Sequence, residues 1–152
     1  MIKIYGTKQS RATRVIWAAL ELGLPHELVI VDRVAGDNKK PDFLKINPNG
    51  RIPALEDDGL VMFESLAMTL YLAKKAGGPL APKDLKEDAL MTMWTLWGVN
   101  EVEAHSVQVL YHRMLWPQEQ RDEQKALAAI ETLRAPFAVL EAHLSNHDYI
   151  VG

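Results

Sequence analysis

The residues of this chain best suited to chemistry lie between Asn47 and Ser65, in the run NPNGRIPALEDDGLVMFES. An X-Pro bond adopts the cis form for only about 0.5–1 kcal/mol. A cis bond between Ile52 and Pro53 would turn the Ile52 N–H and C=O outward, where an extended peptide could pair with them as an added strand. Eleven residues after Pro53, Glu64-Ser65 opens a helix. Its free N–H groups and the positive end of its dipole favour a carboxylate, with the Ser65 hydroxyl as a further donor. Backbone pairing at one point and an anion site at another make a small peptide-binding site.

The surrounding elements must hold these groups in place. Asn47-Pro48-Asn49-Gly50 is turn chemistry. A strand over Ile52 to Glu56 follows, then a hairpin turn at Asp57-Asp58-Gly59 and a partner strand from Leu60 to Phe63. Leu66, Leu70 and Ala73 recur at helical spacing. Toward the N-terminus, Ile2 to Tyr5 reads as a strand and Gly6 to Ser10 as a loop. The helix that follows carries Val15, Ile16, Ala19, Leu20 and Leu22 and stops at Gly23, with Pro25 beyond. His26 to Val31 reads as a second strand, Asp32 to Lys40 as irregular, and Pro41 to Ile46 as a helical turn. Strand, helix, strand, hairpin and helix in that order predict an α/β layer with helices on both faces.

Gly77-Gly78-Pro79 and Pro82 mark a linker. Beyond it two long helices are expected, Lys86 to Leu115 and about Gln120 to Leu144, separated by Trp116-Pro117. Leu90, Met93, Trp97, Ala104, Val107, Tyr111 and Met114 stripe the first; Ile130, Leu133, Phe137, Leu140 and Leu144 stripe the second. They should pack as an antiparallel pair. Pro136 removes a backbone bond inside the second, which predicts a kink near residue 132. The division expected is a first domain over 1–76, a linker over 77–84 and a helical domain over 85–152.

Composition narrows the function. The 152 residues are 48% hydrophobic, enough for a core, and 20 acids against 17 bases give a net charge of −3, so no basic field invites nucleic acid. No signal-peptide pattern opens the chain, and no run reaches the ~18 apolar residues of a membrane span. Cytoplasmic localisation is expected. Cysteine is absent, which excludes dithiol exchange through the chain's own sulfur. Sulfur chemistry has to arrive with a ligand. His143 and His147 have a spacing that suits one helix face, but no third ligand accompanies them, and no metal site is expected.

The segment described first resembles the glutathione S-transferase family, whose pattern NPxGxxPxL, then DG, then ES is matched in order and spacing. MIKIYGTKQSRATRVIWAALELGLP is similar to that family's first strand, active-site loop and first helix. YLAKKAGGPLAP is similar to the exit from its first domain, and DYIVG to the segment before its next helix. The resemblance, closest to bacterial serine-type members, implies a thioredoxin-like N-terminal domain followed by a partial all-α C-terminal domain. It also implies that the chain is C-terminally truncated, because relatives continue with further helices, and that the long helices leave apolar faces uncovered.

What the resemblance implies chemically is activation of the glutathione thiol, with glutathione as co-substrate. Lowering a thiol pKa from about 8.5 by about two units takes roughly 2.7 kcal/mol of preferential stabilisation. Ser10 is the first candidate for a hydroxyl aimed at sulfur, with Thr7 as rival, Tyr5 as the tyrosine-type option, and Arg11 as an electrostatic aid; Ser10 otherwise caps the helix. Glu64 should pair with the γ-glutamyl ammonium and Ser65 with its carboxylate, while Ile52, before Pro53, binds the cysteinyl backbone. Lys39 or Lys40 and Arg51 are candidates for the glycyl carboxylate. Trp94, His105, His112 and Trp116 fall on one helical stripe that could border a pocket for a small hydrophobic electrophile. The implied activity is conjugation in detoxification, or peroxidase or reductase action, by a homodimer. The alternative is a catalytically silent module that uses the fold for protein contact, as translation-factor and stringent-response relatives do.

Overall fold

Side chains alternate along Ile2–Gly6 (β1), and the sheet is built around this strand. Ile2 and Ile4 turn to one face and Tyr5 to the other. The structure is a computed structural model covering residues 1–152. Its four-stranded sheet has the order β2-β1-β3-β4, with β2 over His26–Ile30, β3 over Ala54–Asp57 and β4 over Leu60–Phe63. β1 and β2 run parallel, with Ile4 opposite Leu28, whereas β1 and β3 are antiparallel, with Ile4 opposite Leu55. The β3–β4 hairpin pairs Leu55 with Met62.

Helices α1 (Ala12–Glu21) and α3 (Ser65–Ala76) cover one face, where Ile2, Ile4, Val15, Leu55, Met68 and Leu72 form the main core. Burying side chains such as Ile4 and Leu55, both fully enclosed, stabilises the fold by about 1.5–3 kcal/mol each. The short helix α2 (Pro41–Ile46) covers the other face, where Phe43 packs with Tyr5, Val31 and Ala54. This is the expected thioredoxin-like layer with helices on both sides. Ile52 and Pro53 lie just before β3, not within it, because a proline has no N–H to give to the ladder.

The chain divides into two compact units, Met1–Pro82 and Lys83–Gly152. The second is entirely helical. Where one regular helix from Lys86 to Leu115 was expected, α4 (Leu85–Trp97) passes into a π-helical stretch at Gly98–Glu103. That leads to α5 (Ala104–Leu110) and a second π-helical stretch at Tyr111–Leu115. α6 (Glu123–Leu144) starts under the Asp122 carboxylate, which accepts the Lys125 N–H at 3.2 Å, and continues unbroken past Pro136. α5 packs along α6, whose buried residues are Ala126, Ala129 and Leu133. Met93, Leu96, Met114, Phe137 and Val139 are exposed. No helix is long and apolar enough to cross a membrane.

Candidate functional site

Gly6, the last residue of β1, is where the pieces of the first unit meet. Its φ of +154° suits a residue without Cβ, and a Cβ there would lie 2.8 Å from Ala12 Cβ, 3.5 Å from Ser10 Oγ and 3.7 Å from Ile52 Cβ. The loop ahead of α1 and the segment ahead of β3 therefore converge on the end of this strand. The Ile52-Pro53 bond is cis. The backbone N–H and C=O of Ile52 take no part in the chain's own backbone hydrogen bonding, so both are available for strand addition.

Two buried asparagines shape the loop that presents Ile52. Asn47 donates from Nδ2 to Arg51 O at 2.6 Å and accepts the Asn49 N–H at 3.1 Å, and Asn38 donates to Gly50 O at 2.7 Å. Lys39 lies against this loop. A Cβ at Gly50, whose φ is +57°, would meet Lys39 Nζ at 2.7 Å. Lys40 points elsewhere, its ammonium 2.7 Å from the Asp37 carboxylate, which holds the Lys40 pKa above and the Asp37 pKa below their ordinary values. Arg51 is exposed on the loop.

Glu64 and Ser65 sit where β4 gives way to α3. Glu64 is exposed, with a φ of +76° that is uncommon for any residue with a side chain. Ser65 is 6% exposed. The Met68 N–H bonds Glu64 O at 3.1 Å, which leaves the N–H groups of the first turn without helical acceptors. Arg14 on α1 donates from Nη1 to Ser65 Oγ at 3.4 Å. Sequence reasoning missed Arg14, because nothing local marks a helix arginine whose partner is 51 residues away.

Ser10 has all its hydrogen-bonding capacity in use. Its hydroxyl donates to Thr7 O at 2.8 Å and accepts the N–H groups of Ala12 at 3.1 Å and Thr7 at 3.4 Å. A hydroxyl has one proton and two lone pairs, and here each has a partner. Ser10 thus closes the turn and caps α1. Thr7 belongs to the same turn, and Arg11 is exposed at its end. Tyr5 is committed to the sheet. Its hydroxyl donates to Glu56 Oε2 at 2.7 Å, and burial, followed by that bond and the nearby carboxylates, pushes its pKa up to about 12. A phenol in that state has its proton directed at a carboxylate and away from any thiol.

The four residues of the proposed electrophile stripe do not gather in one place. Trp94 packs against Trp97 and the His143 ring and lines a groove of about 300 Å³ with Lys83, Glu87, Leu90 and Tyr149. His105, His112 and Trp116 do not line it. His112 is 3% exposed, accepts the Asp122 N–H at 3.2 Å and meets Trp116 edge-on, so it ties the start of α6 to the π-helical stretch at Tyr111–Leu115. Trp94 and His112 stand about 27 Å apart along the helical run at 1.5 Å per residue, and the π-helical stretches also change which way the residues face. A π turn is wider than 3.6 residues, and a face drawn at α-helical spacing drifts out of phase across it. His143 and His147 stack at 4.3 Å, with His143 Nε2 on Ile150 O.

Residues 10–75 match the model of the glutathione S-transferase N-terminal domain. The chain is 39% identical over 121 residues to a glutathione S-transferase of Silene vulgaris, covering 76% of this chain and 54% of that protein. It is 34% identical over 163 residues to glutathione S-transferase F13 of Arabidopsis thaliana, covering 99% of this chain and 72% of the relative. Among solved structures, the theta-class glutathione S-transferase of Xanthomonas axonopodis pv. citri with glutathione bound superposes with a TM-score of 0.89 at 29% identity, covering 98% of this chain and 72% of that one. The chain thus spans little more than half of one curated relative and under three quarters of the others.

Proposed function

This chain belongs to the glutathione S-transferase family, and on that premise we propose that its first unit binds glutathione, ionises the thiol and presents it to a small hydrophobic electrophile. The observation that carries the reading is the meeting, within one unit, of the Ser10 turn and the cis Ile52-Pro53 segment at Gly6, with Arg14 of α1 reaching Ser65 at the start of α3. In this reading the cysteinyl residue pairs with Ile52 as an added strand. The γ-glutamyl carboxylate takes the Ser65 hydroxyl and the first-turn N–H groups of α3, and Glu64 pairs with the γ-glutamyl ammonium. Lys39, beside Gly50, and Arg51 face the glycyl carboxylate.

The thiolate is assigned to Ser10, supported by the N-terminal N–H groups of α1 and by Arg11, with Thr7 as the alternative donor. For Ser10 to serve, its proton has to leave Thr7 O and turn toward sulfur. Turning the proton also turns the lone pairs, so one accepted bond is given up, the 3.4 Å contact from the Thr7 N–H being the weaker of the two. The electrophile and a second copy of the chain as partner belong to the same proposal and rest on family membership.

Titration with glutathione, followed by retention on the immobilised tripeptide and conjugation of a chromogenic electrophile, tests the reading. Retention with turnover supports it; failure to bind leaves the fold as a protein-contact module. Two substitutions assign the roles. Ser10→Ala should raise the pKa of the bound thiol by about one unit, seen as lost thiolate absorbance near neutral pH, with affinity nearly unchanged. An unaltered titration curve moves the role to Thr7 or Arg11. Ser65→Ala should weaken glutathione binding by about tenfold without selectively altering thiol ionisation, and unchanged affinity would remove the carboxylate from α3.

A further inference from the structure

We propose that Asn38 is a positioning residue that fixes Lys39 against the 47–53 loop, making the site select a peptide with a carboxylate one residue beyond its cysteine. The inference rests on the glutathione reading above and adds the basis of selection for the tripeptide over its dipeptide precursor. Asn38 is 8% exposed, unusual for a residue type that ordinarily faces water. Its carboxamide spans from the turn at Asp37–Lys39 to the loop, giving Nδ2–H to Gly50 O at 2.7 Å. The two backbones also touch. A Cβ on Gly50 would stand 2.9 Å from Asn38 O, 2.7 Å from Lys39 Nζ and 3.1 Å from Lys39 Cδ.

The far side of that turn is held independently. Asp37 N–H bonds Asp32 O at 2.9 Å, and the Asp37 carboxylate accepts the Asp32 N–H at 3.0 Å and carries Lys40 at 2.7 Å. Lys40 is thereby directed back into its own turn, and Lys39 is directed onto the loop. Lys39 lies beside Gly50, two residues before Ile52. An extended residue advances a peptide by about 3.3 Å. In an antiparallel pairing, a carboxylate one residue past a cysteine beside Ile52 is carried back along the loop and comes within reach of an ammonium lying along Gly50. Without the Asn38 bond, Gly50 O loses its donor and the turn is released from the loop, so a flexible lysine is no longer pre-placed and its contact with an anion weakens.

The test compares glutathione with γ-glutamylcysteine, which lacks the glycyl residue. The wild-type chain should bind glutathione about tenfold more tightly than the dipeptide. Asn38→Ala should bring that ratio close to one by weakening glutathione alone, Lys39→Met should do the same, and combining the two should add nothing further. Asn38→Ser serves the same comparison if the alanine variant fails to fold. Equal weakening of both ligands by the Asn38 variants would reduce Asn38 to general support of the loop, and a ratio unchanged in Lys39→Met overturns the inference whatever the Asn38 variants do. Should the wild type bind neither peptide, the glutathione reading falls and this inference with it; if it binds both, that reading stands and only the role of Asn38 is at stake.

Discussion

Gly6→Ala should destabilise the first unit by on the order of 2–5 kcal/mol and abolish glutathione binding under conditions where part of the chain still folds. Two costs combine at this position. A φ of +154° lies outside the range that an L side chain adopts comfortably, and the new Cβ would stand 2.8 Å from Ala12 Cβ, inside the start of α1. Relief requires the chain to move α1, which carries Val15 and Ala19 in the core, or to open the Ser10 turn. Either movement separates Ser10 from Ile52. Gly23→Ala is the control, since Gly23 also has a positive φ, +62°, but nothing lies within 4 Å of its added Cβ. It should cost only about 1 kcal/mol. Urea midpoints of the two variants compared with wild type decide the matter, and similar midpoints for both would show that crowding at Gly6 is relieved without loss.

Asp57→Ala should cost about 2–3 kcal/mol at neutral pH and remove much of the acid sensitivity of the fold. The Asp57 side chain is 2% exposed, accepts the Tyr71 hydroxyl at 2.7 Å and lies 2.6 Å from Lys75 Nζ. Breaking a buried pair from one side is expensive, and the partial exposure of Lys75 moderates the loss. The bond to Lys75, with the Tyr71 bond added, outweighs burial and holds the Asp57 carboxyl below its ordinary pKa, while the Lys75 ammonium is held above its own. For the carboxyl, the folded-state pKa lies below the unfolded one. Its contribution is therefore fully present above the unfolded value and is lost as pH falls through the folded value. For the ammonium the order is reversed, and its contribution is lost as pH rises through the raised value. Urea midpoints measured between neutral pH and pH 2 should fall steeply for wild type and less steeply for the variant. Parallel curves would place the acid-sensitive group elsewhere.

Most of what was readable in advance was local. The Asn47–Gly50 turn, the hairpin at Asp57–Gly59, the helix opening at Ser65 and the cis bond before Pro53 each depend on a few adjacent residues with restricted backbone preferences. So does the strand read over Ile2 to Tyr5. What the sequence left hidden was relational. Arg14 meets Ser65, Asn38 meets Gly50 and Tyr5 meets Glu56 only after the sheet is assembled, and an arginine or asparagine carries no local mark of its distant partner. Ser10 was visible as a hydroxyl at a helix start, but its full set of turn partners was not. The long-helix stripe was drawn at a regular 3.6 residues per turn, and nothing in the sequence marked the two wider turns that fall between Trp94 and Trp116.

The closed set of bonds around the Ser10 hydroxyl has a kinetic corollary. Reaching a sulfur needs rotation about one C–O bond, which exchanges a weak accepted contact such as the 3.4 Å one from the Thr7 N–H, and leaves the backbone turn as it is. Rotations of that kind are complete within picoseconds to nanoseconds, whereas lids and domains move over microseconds to milliseconds. In the proposed reaction the reorientation of this donor is therefore too fast to set the tempo of turnover.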